Sequence, residues 1–139
     1  MQEEGKPISK LQTRVNECLR NFYELMNDKA LELGMKRSHF NVAHGMHNDD
    51  NYSSALDISK LSVYAMNELP QVFKDVVNSQ SYETRSNEFK GHIYKWNNTN
   101  QLLQEGFEGV KTGITPTAGP CLSASITKDG FSVVMVVLS

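Results

Sequence analysis

Apolar positions recur every three to four residues from Ile8 through Leu11, Val15, Cys18, Leu19, Phe22, Leu25, Met26 and Ala30 to Leu33. That is the period of one buried stripe along an amphipathic helix, and Gly34 stands where such a helix stops. The stripe fits one long helix or two that break near Asn21. Arg37 to Asn51 is a polar connector without that period. The pattern returns at Tyr52-Ser53-Ser54-Ala55, where Ser53 or Ser54 suits an N-cap and Asp57 the first helical turn. Leu56, Ile58, Leu61, Tyr64, Ala65 and Leu69 form the predicted buried side, and Pro70 marks the end. Val72, Phe73, Val76 and Val77 predict a short further helix. From Ser81 to Lys95 the pattern is mixed, with Tyr82, Phe89, Ile93, Tyr94 and Trp96 spaced as in short irregular strands. Asn97-Asn98-Thr99-Asn100 is a turn cluster, and Leu102-Leu103 a brief buried segment.

From Gly106 onward the chain changes period. Gly106 to Thr115 reads as one strand carrying Lys111-Thr112-Gly113, Cys121 to Ile126 as a second, and Phe131 to Leu138 as a third, the most β-prone run present. Thr127-Lys128-Asp129-Gly130 joins the last two, and Asp-Gly is the strongest short hairpin signal. These make a three-stranded antiparallel meander whose first strand bears a cation.

Composition narrows the classes. A chain of 139 residues with 39% hydrophobic content, 22% charged residues and a net charge of −2 predicts at most one soluble globular domain without a bias toward polyanions such as nucleic acid. No apolar run approaches the ~18 residues of a membrane span. Met1-Gln2-Glu3-Glu4-Gly5-Lys6 has no apolar core for a signal peptide, and the end on a hydrophobic strand predicts a truncated chain or one completed by another segment. Cys18 and Cys121 are too few for a disulfide framework.

The candidate chemistry centres on Lys111. Glycines inside a strand often mark the close approach of another backbone or a ligand, and Gly109 and Gly113 flank Lys111-Thr112. A lysine there, with the hydroxyls of Thr112 and Thr115, suits an anionic group held against a strand edge. The competing reading is an exposed lysine that discourages edge-to-edge aggregation. His39, His44 and His47, with Asp49 and Asp50, carry metal-ligand chemistry, but their spacing matches no zinc pattern and a structural loop is expected. The one Ser-x-x-Lys is Ser125-Ile126-Thr127-Lys128. It sits on a strand, where residues three apart point to opposite faces, so it is not expected to act as a nucleophile and base. Ser-x-Asn does not occur in the sequence.

A wider set of blocks carries a resemblance. Phe22-x-x-x-Met26-Asn27-x-x-Ala30-x-x-Leu33-Gly34-Met35, Phe40 with His44-Gly45-Met46, and Tyr52-Ser53-Ser54-Ala55-x-Asp57 are followed by Asn98-Thr99-Asn100-x-Leu102-Leu103 and Gly109-Val110-Lys111-Thr112-Gly113-x-Thr115-x-x-Ala118-Gly119. In order and approximate spacing this resembles the D-alanyl-D-alanine carboxypeptidase family of serine penicillin-binding proteins, in which Lys-Thr-Gly accompanies Ser-x-x-Lys and a Ser-x-Asn-type signature. The resemblance implies an α+β fold, the C-terminal part of the serine β-lactamase/DD-peptidase architecture, with the sheet packed against the long N-terminal helix region. It implies residues 1–139 as a single partial domain lacking the N-terminal part with the nucleophile, and a family basic residue falling beyond Ser139. In that resemblance Lys111 supplies catalytic positive charge and orients proton-transfer groups. Thr112, Gly113, Ile114 and Thr115 bind substrate, the threonines through hydroxyls to a terminal carboxylate and Ile114 through its N–H as an oxyanion donor. The implied partner is a peptidoglycan-type D-Ala-D-Ala peptide or a β-lactam, with no cofactor and no metal. Val42-Ala43 and Ile114 depart from the family's commoner residues. The expected activity is serine-type D-Ala-D-Ala carboxypeptidase chemistry, catalytically incomplete in this chain. The alternative is a non-catalytic binding module that retains the Lys111 anion pocket.

Overall fold

The computed structural model describes residues 9–69, 71–86 and 91–139; Ile8, Pro70 and Phe89, assigned above to a helix, a helix end and a strand, lie outside the described residues. A single helix, α1 (Lys10–Glu32), runs unbroken past Asn21. Ser9 caps it, its hydroxyl accepting the Gln12 N–H at 3.2 Å. At the other end the Met35 N–H reaches the Ala30 carbonyl and the Gly34 N–H the Leu31 carbonyl, both at 2.9 Å, with Gly34 at φ +69°. This is a Schellman closure, and it requires the left-handed conformation that glycine adopts without strain.

The stripe on α1 is not buried as its period predicts. Ala30 is the one buried residue of the helix, while Leu11 is 72% and Leu25 65% exposed. In the C-terminal half Leu25, Met26 and Ala30 meet Met35, Phe40 and Leu61 around an apolar cavity of about 340 Å³. Asn27 fixes the chain that leaves the helix: its amide donates to the Phe40 carbonyl and accepts the Phe40 N–H, each at 2.8 Å.

Helix α2 (Ala55–Glu68) starts at Ser54, whose hydroxyl accepts the Asp57 N–H at 3.2 Å. Its inward face differs from the apolar set above. Asp57, Ser62, Ala65 and Met66 are buried, and Leu56 is exposed. Asp57, 2% exposed, accepts the Arg37 N–H at 2.6 Å and the Ser38 hydroxyl at 2.9 Å, with the Lys60 ammonium 3.7 Å away. Burial pushes this carboxyl up, but those three donors together hold it below the ordinary carboxylate value.

Helix α3 (Gln71–Asn78) leads to β1 (Ser81–Arg85) and β2 (Ile93–Asn97), which form a regular antiparallel hairpin rather than irregular strands. Both strands are exposed along their whole length, so no apolar alternation betrays them. The hairpin carries a ladder in which Trp96 stacks near Tyr82 (6.1 Å) and Tyr94 (5.7 Å). A 3-10 turn (Gln101–Glu105) precedes the meander of β3 (Glu108–Thr115), β4 (Gly119–Lys128) and β5 (Phe131–Val137), in the order β3-β4-β5. Asp129 (φ 52°) and Gly130 (φ 81°) both take positive φ, the type I′ geometry that matches strand twist.

Register assigns the sheet's faces. Lys111 pairs with Ser123, Gly113 with Cys121 and Thr115 with Gly119, whereas Thr112 pairs with Leu122 and Ile114 with Pro120. Directly paired residues share a face, so Lys111, Gly113 and Thr115 lie on the face of Ser123. Helix α2 packs there, with Ser62 Oγ 2.7 Å from Ser123 Oγ. The elements packed on the sheet are thus α2 and α3, not the long N-terminal helix expected to cover it. Small residues account for the difference: Ser62, Ala65 and Ser123 let helix and sheet approach, and of these the apolar period names only Ala65. The opposite face leaves Val133 and Val137 exposed, with Phe131 at 77%.

Candidate active site

The outer strand of the meander, β3, carries the residues singled out by the sequence. A groove of about 630 Å³ runs along it, lined among others by Thr99, Asn100, Lys111, Thr112, Gly113 and Cys121. Lys111 turns its ammonium to the Thr112 carbonyl of its own strand. Among the described residues no carboxylate stands within ion-pair distance of it. Its positive charge is therefore uncompensated at a strand edge.

The two glycines around Lys111 have different reasons to be small. A Cβ on Gly109 would sit 2.3 Å from the Val77 carbonyl oxygen, so this position is closed by the end of α3. The Gly109 N–H is also taken, by Asn78 Oδ1 at 2.8 Å. A Cβ on Gly113 would meet nothing within 4 Å. Gly109 answers to the fold, and Gly113 borders open space on the Lys111 face.

The hydroxyls divide likewise. Thr112 Oγ1 is 2.5 Å from Thr99 Oγ1, on the face away from Lys111. Thr115 is on the Lys111 face, where its Oγ1 accepts the Ala118 N–H at 3.0 Å and lies 3.4 Å from Thr117 Oγ1. Thr117 Oγ1 in turn lies 3.1 Å from His47 Nδ1, and His47 Nε2 is 3.1 Å from Asp49 Oδ1. Ile114 stands opposite Pro120 with its side chain exposed.

Sequence reasoning missed Thr99, Thr117 and His47 as neighbours of this strand, and it missed Asn100. Asn100 lines the groove and is buried; its Oδ1 caps the 3-10 turn at the Leu102 N–H (3.2 Å), leaving Nδ2 without a partner among the described residues. The signal available was its place in the Asn97–Asn100 turn cluster, ahead of Leu102.

The remaining candidates fall elsewhere. Ser125 Oγ donates to Glu108 Oε2 at 3.1 Å and pairs with Val134 in the middle of β4, while Lys128 pairs with Phe131 at the hairpin end. Strand geometry separates the two, and no nucleophile–base pair forms. His39 stacks on Tyr52 and bonds the Asp50 carbonyl at 2.7 Å, and His44 accepts the Met46 N–H at 3.0 Å. Each imidazole has its own partner, and among the described residues no three His, Cys, Asp or Glu side chains converge. Chemically the β3 edge offers one cation, one hydroxyl beside it and an unobstructed glycine: the equipment to hold an anion, without a serine–lysine nucleophile and base pair among the described residues.

A Lys-Thr-Gly strand in an antiparallel meander backed by helices marks the penicillin-recognising serine peptidases as a class. The sequence profile described as D-alanyl-D-alanine carboxypeptidase matches residues 13–139, and the chain belongs to that family. It is 34% identical over 126 residues to the D-alanyl-D-alanine carboxypeptidase of Streptomyces sp. strain K15, covering 87% of this chain and 43% of that protein. To the carboxypeptidase DacF of Bacillus subtilis it is 34% identical over 118 residues, covering 84% of this chain and 29% of that one. The crystal structure of the Streptomyces K15 DD-transpeptidase superposes with a TM-score of 0.79 at 33% identity, over 99% of this chain and 52% of that chain. The chain thus spans less than half the length of these curated relatives.

Proposed function

We propose that this chain supplies the Lys-Thr-Gly wall of a serine-type D-Ala-D-Ala carboxypeptidase site. Residues 1–139 form a partial domain, and the nucleophile is provided by a segment that carries Ser-x-x-Lys and Ser-x-Asn. The observation that carries this reading is Lys111, an uncompensated ammonium on the same strand face as Gly113 and Thr115 in a chain of this family. Lys111 is the catalytic residue of the set, its charge stabilising the oxyanion that develops on the attacked carbonyl. The Ile114 N–H donates to that oxyanion, and the Thr115 hydroxyl donates to the substrate's terminal carboxylate. Gly113 keeps the approach open. Thr112 belongs to the substrate-binding strand, its hydroxyl anchored on Thr99. The substrate is a peptidoglycan-type D-Ala-D-Ala peptide, or a β-lactam in its place: a serine acylates at the penultimate D-Ala carbonyl, D-Ala leaves, and water hydrolyses the ester.

The test joins this chain to the unmatched N-terminal part of the Streptomyces K15 relative, which would furnish the missing motifs. Acylation by a fluorescent penicillin is expected, and Lys111→Ala should slow it by ~10²–10³-fold, the usual loss for one preorganised group at such a site. Lys128→Ala should change nothing, as an isolated surface charge. Equal effects of the two substitutions, or simple unfolding by Lys111→Ala, would reject the assignment.

A further inference from the structure

The hydrogen-bonded chain from Asp49 through His47 and Thr117 to Thr115 has a direction, and atom-by-atom counting fixes it. An ionised Asp49 only accepts, so its contact with His47 Nε2 at 3.1 Å requires the imidazole proton there. In the neutral ring Nδ1 is then an acceptor, and at 3.1 Å it takes the Thr117 hydroxyl proton. Thr117 has no second proton, so its oxygen accepts from Thr115 at 3.4 Å. The Thr115 hydroxyl, already accepting the Ala118 N–H at 3.0 Å, therefore points its proton along the turn and away from Lys111.

Protonating His47 reverses the chain. Nδ1–H donates to Thr117, the Thr117 proton turns toward Thr115, and Thr115 Oγ1 now accepts twice. Its own proton is released toward the face it shares with Lys111. We propose that His47 is a positioning residue which, through Thr117, decides whether the Thr115 hydroxyl is available to an anionic group beside Lys111. This deepens the proposed function and rests on it, because the anion is the terminal carboxylate of a D-Ala-D-Ala peptide.

Few charged or titratable groups face His47. On its own loop Asp49 contacts it, His44 is engaged by the Met46 N–H, and Asp50 receives the Asn41 amide. The β3–β4 turn, Thr115 to Gly119, brings only hydroxyls and backbone, with Lys111 further back along the strand as the nearest fixed charge of β3.

The experiment measures binding of N-acetyl-D-Ala-D-Ala to the full chain by NMR titration. Its one ionisable group stays a carboxylate between about pH 5.5 and about pH 8, the range in which imidazole changes charge. Wild type should bind about three- to tenfold tighter at the acid end, the net value of one ordinary hydrogen bond in a partly exposed site. Thr117→Val keeps the His47 charge but cuts the relay, and His47→Gln removes the titration. Both should bind with less than about a twofold pH dependence. Amide spectra that superpose away from the turn check that each variant is folded. If Thr117→Val retains the wild-type pH dependence, the relay is overturned while the proposed site stands. If wild type binds the peptide at neither pH, or binds it without any Lys111 shift, the site itself is overturned and the relay with it.

Discussion

Replacing the two glycines beside Lys111 with alanine separates a packing constraint from a functional one. In Gly109→Ala the new methyl would lie 2.3 Å from the Val77 carbonyl oxygen and 3.3 Å from Leu103 Cδ2. The first contact is backbone, so the last turn of α3 must move outward, taking with it the Asn78 side chain that accepts the Gly109 N–H at 2.8 Å. Overpacking of this kind costs about 1–3 kcal/mol. Alanine recovers part of that, because a strand glycine forfeits about 0.5–1 kcal/mol of chain entropy. The net expectation is a loss of about 0.5–2 kcal/mol, a fall of several degrees in Tm for a chain of this size. Gly113→Ala meets nothing within 4 Å and is not at positive φ, so only the entropic gain remains, about 0.4–1 kcal/mol in favour of the folded state. Thermal and urea unfolding followed by far-ultraviolet circular dichroism measure both. A Gly109→Ala variant that melts at or above wild type, or a Gly113→Ala variant that loses as much as Gly109→Ala, would refute this assignment of the two positions. In the joined enzyme Gly113→Ala should then slow acylation despite its unimpaired stability.

The chain by itself should form no boiling-resistant adduct with a fluorescent penicillin; a band abolished by Ser125→Ala would make that strand serine a nucleophile. Asp57, held below the ordinary carboxylate value by its donors, contributes stability that is present above the unfolded-state pKa of ~3.9 and is lost as pH falls through the folded value. Acid melts should therefore steepen below about pH 4 in wild type and flatten in Asp57→Asn, which should also lower the neutral-pH Tm by roughly 5 °C or more. Ser62 donates to the Ile58 carbonyl at 2.8 Å, so Ser123 is the donor in the buried Ser62–Ser123 bond. Ser62→Ala strands that donor and should cost about 1–2 kcal/mol, Ser123→Ala about half as much, and the pair together less than their sum.

The elements with a strong period were legible from sequence: α1, α2, the meander and the Asp129-Gly130 turn all lie where the pattern puts them. The lysine at the centre of the candidate site was legible too, through its flanking glycines and the family blocks. Packing was less so. An apolar-period search reports which side chains prefer burial, and it named Leu11, Leu25 and Leu56, which the described fold leaves exposed. It could not name Asp57, Ser62 and Ser123, whose burial depends on partners brought together from 20 and 61 residues away. The His47–Thr117 contact spans 70 residues between two loops, where no periodicity exists to reveal it.

The hairpin of β1 and β2 determines how the molecule's stability can be observed. Trp96 is the only tryptophan in the chain, and it lies half-exposed on that hairpin between Tyr82 and Tyr94. Among the described residues those strands pair with each other and with no third strand, so the hairpin can open at a lower free energy than the meander. Intrinsic emission then reports loss of the aromatic stack, while circular dichroism reports loss of the helices. Two unfolding midpoints from one sample would be two regions letting go in turn, and the emission curve should be assigned to the hairpin rather than to the whole chain.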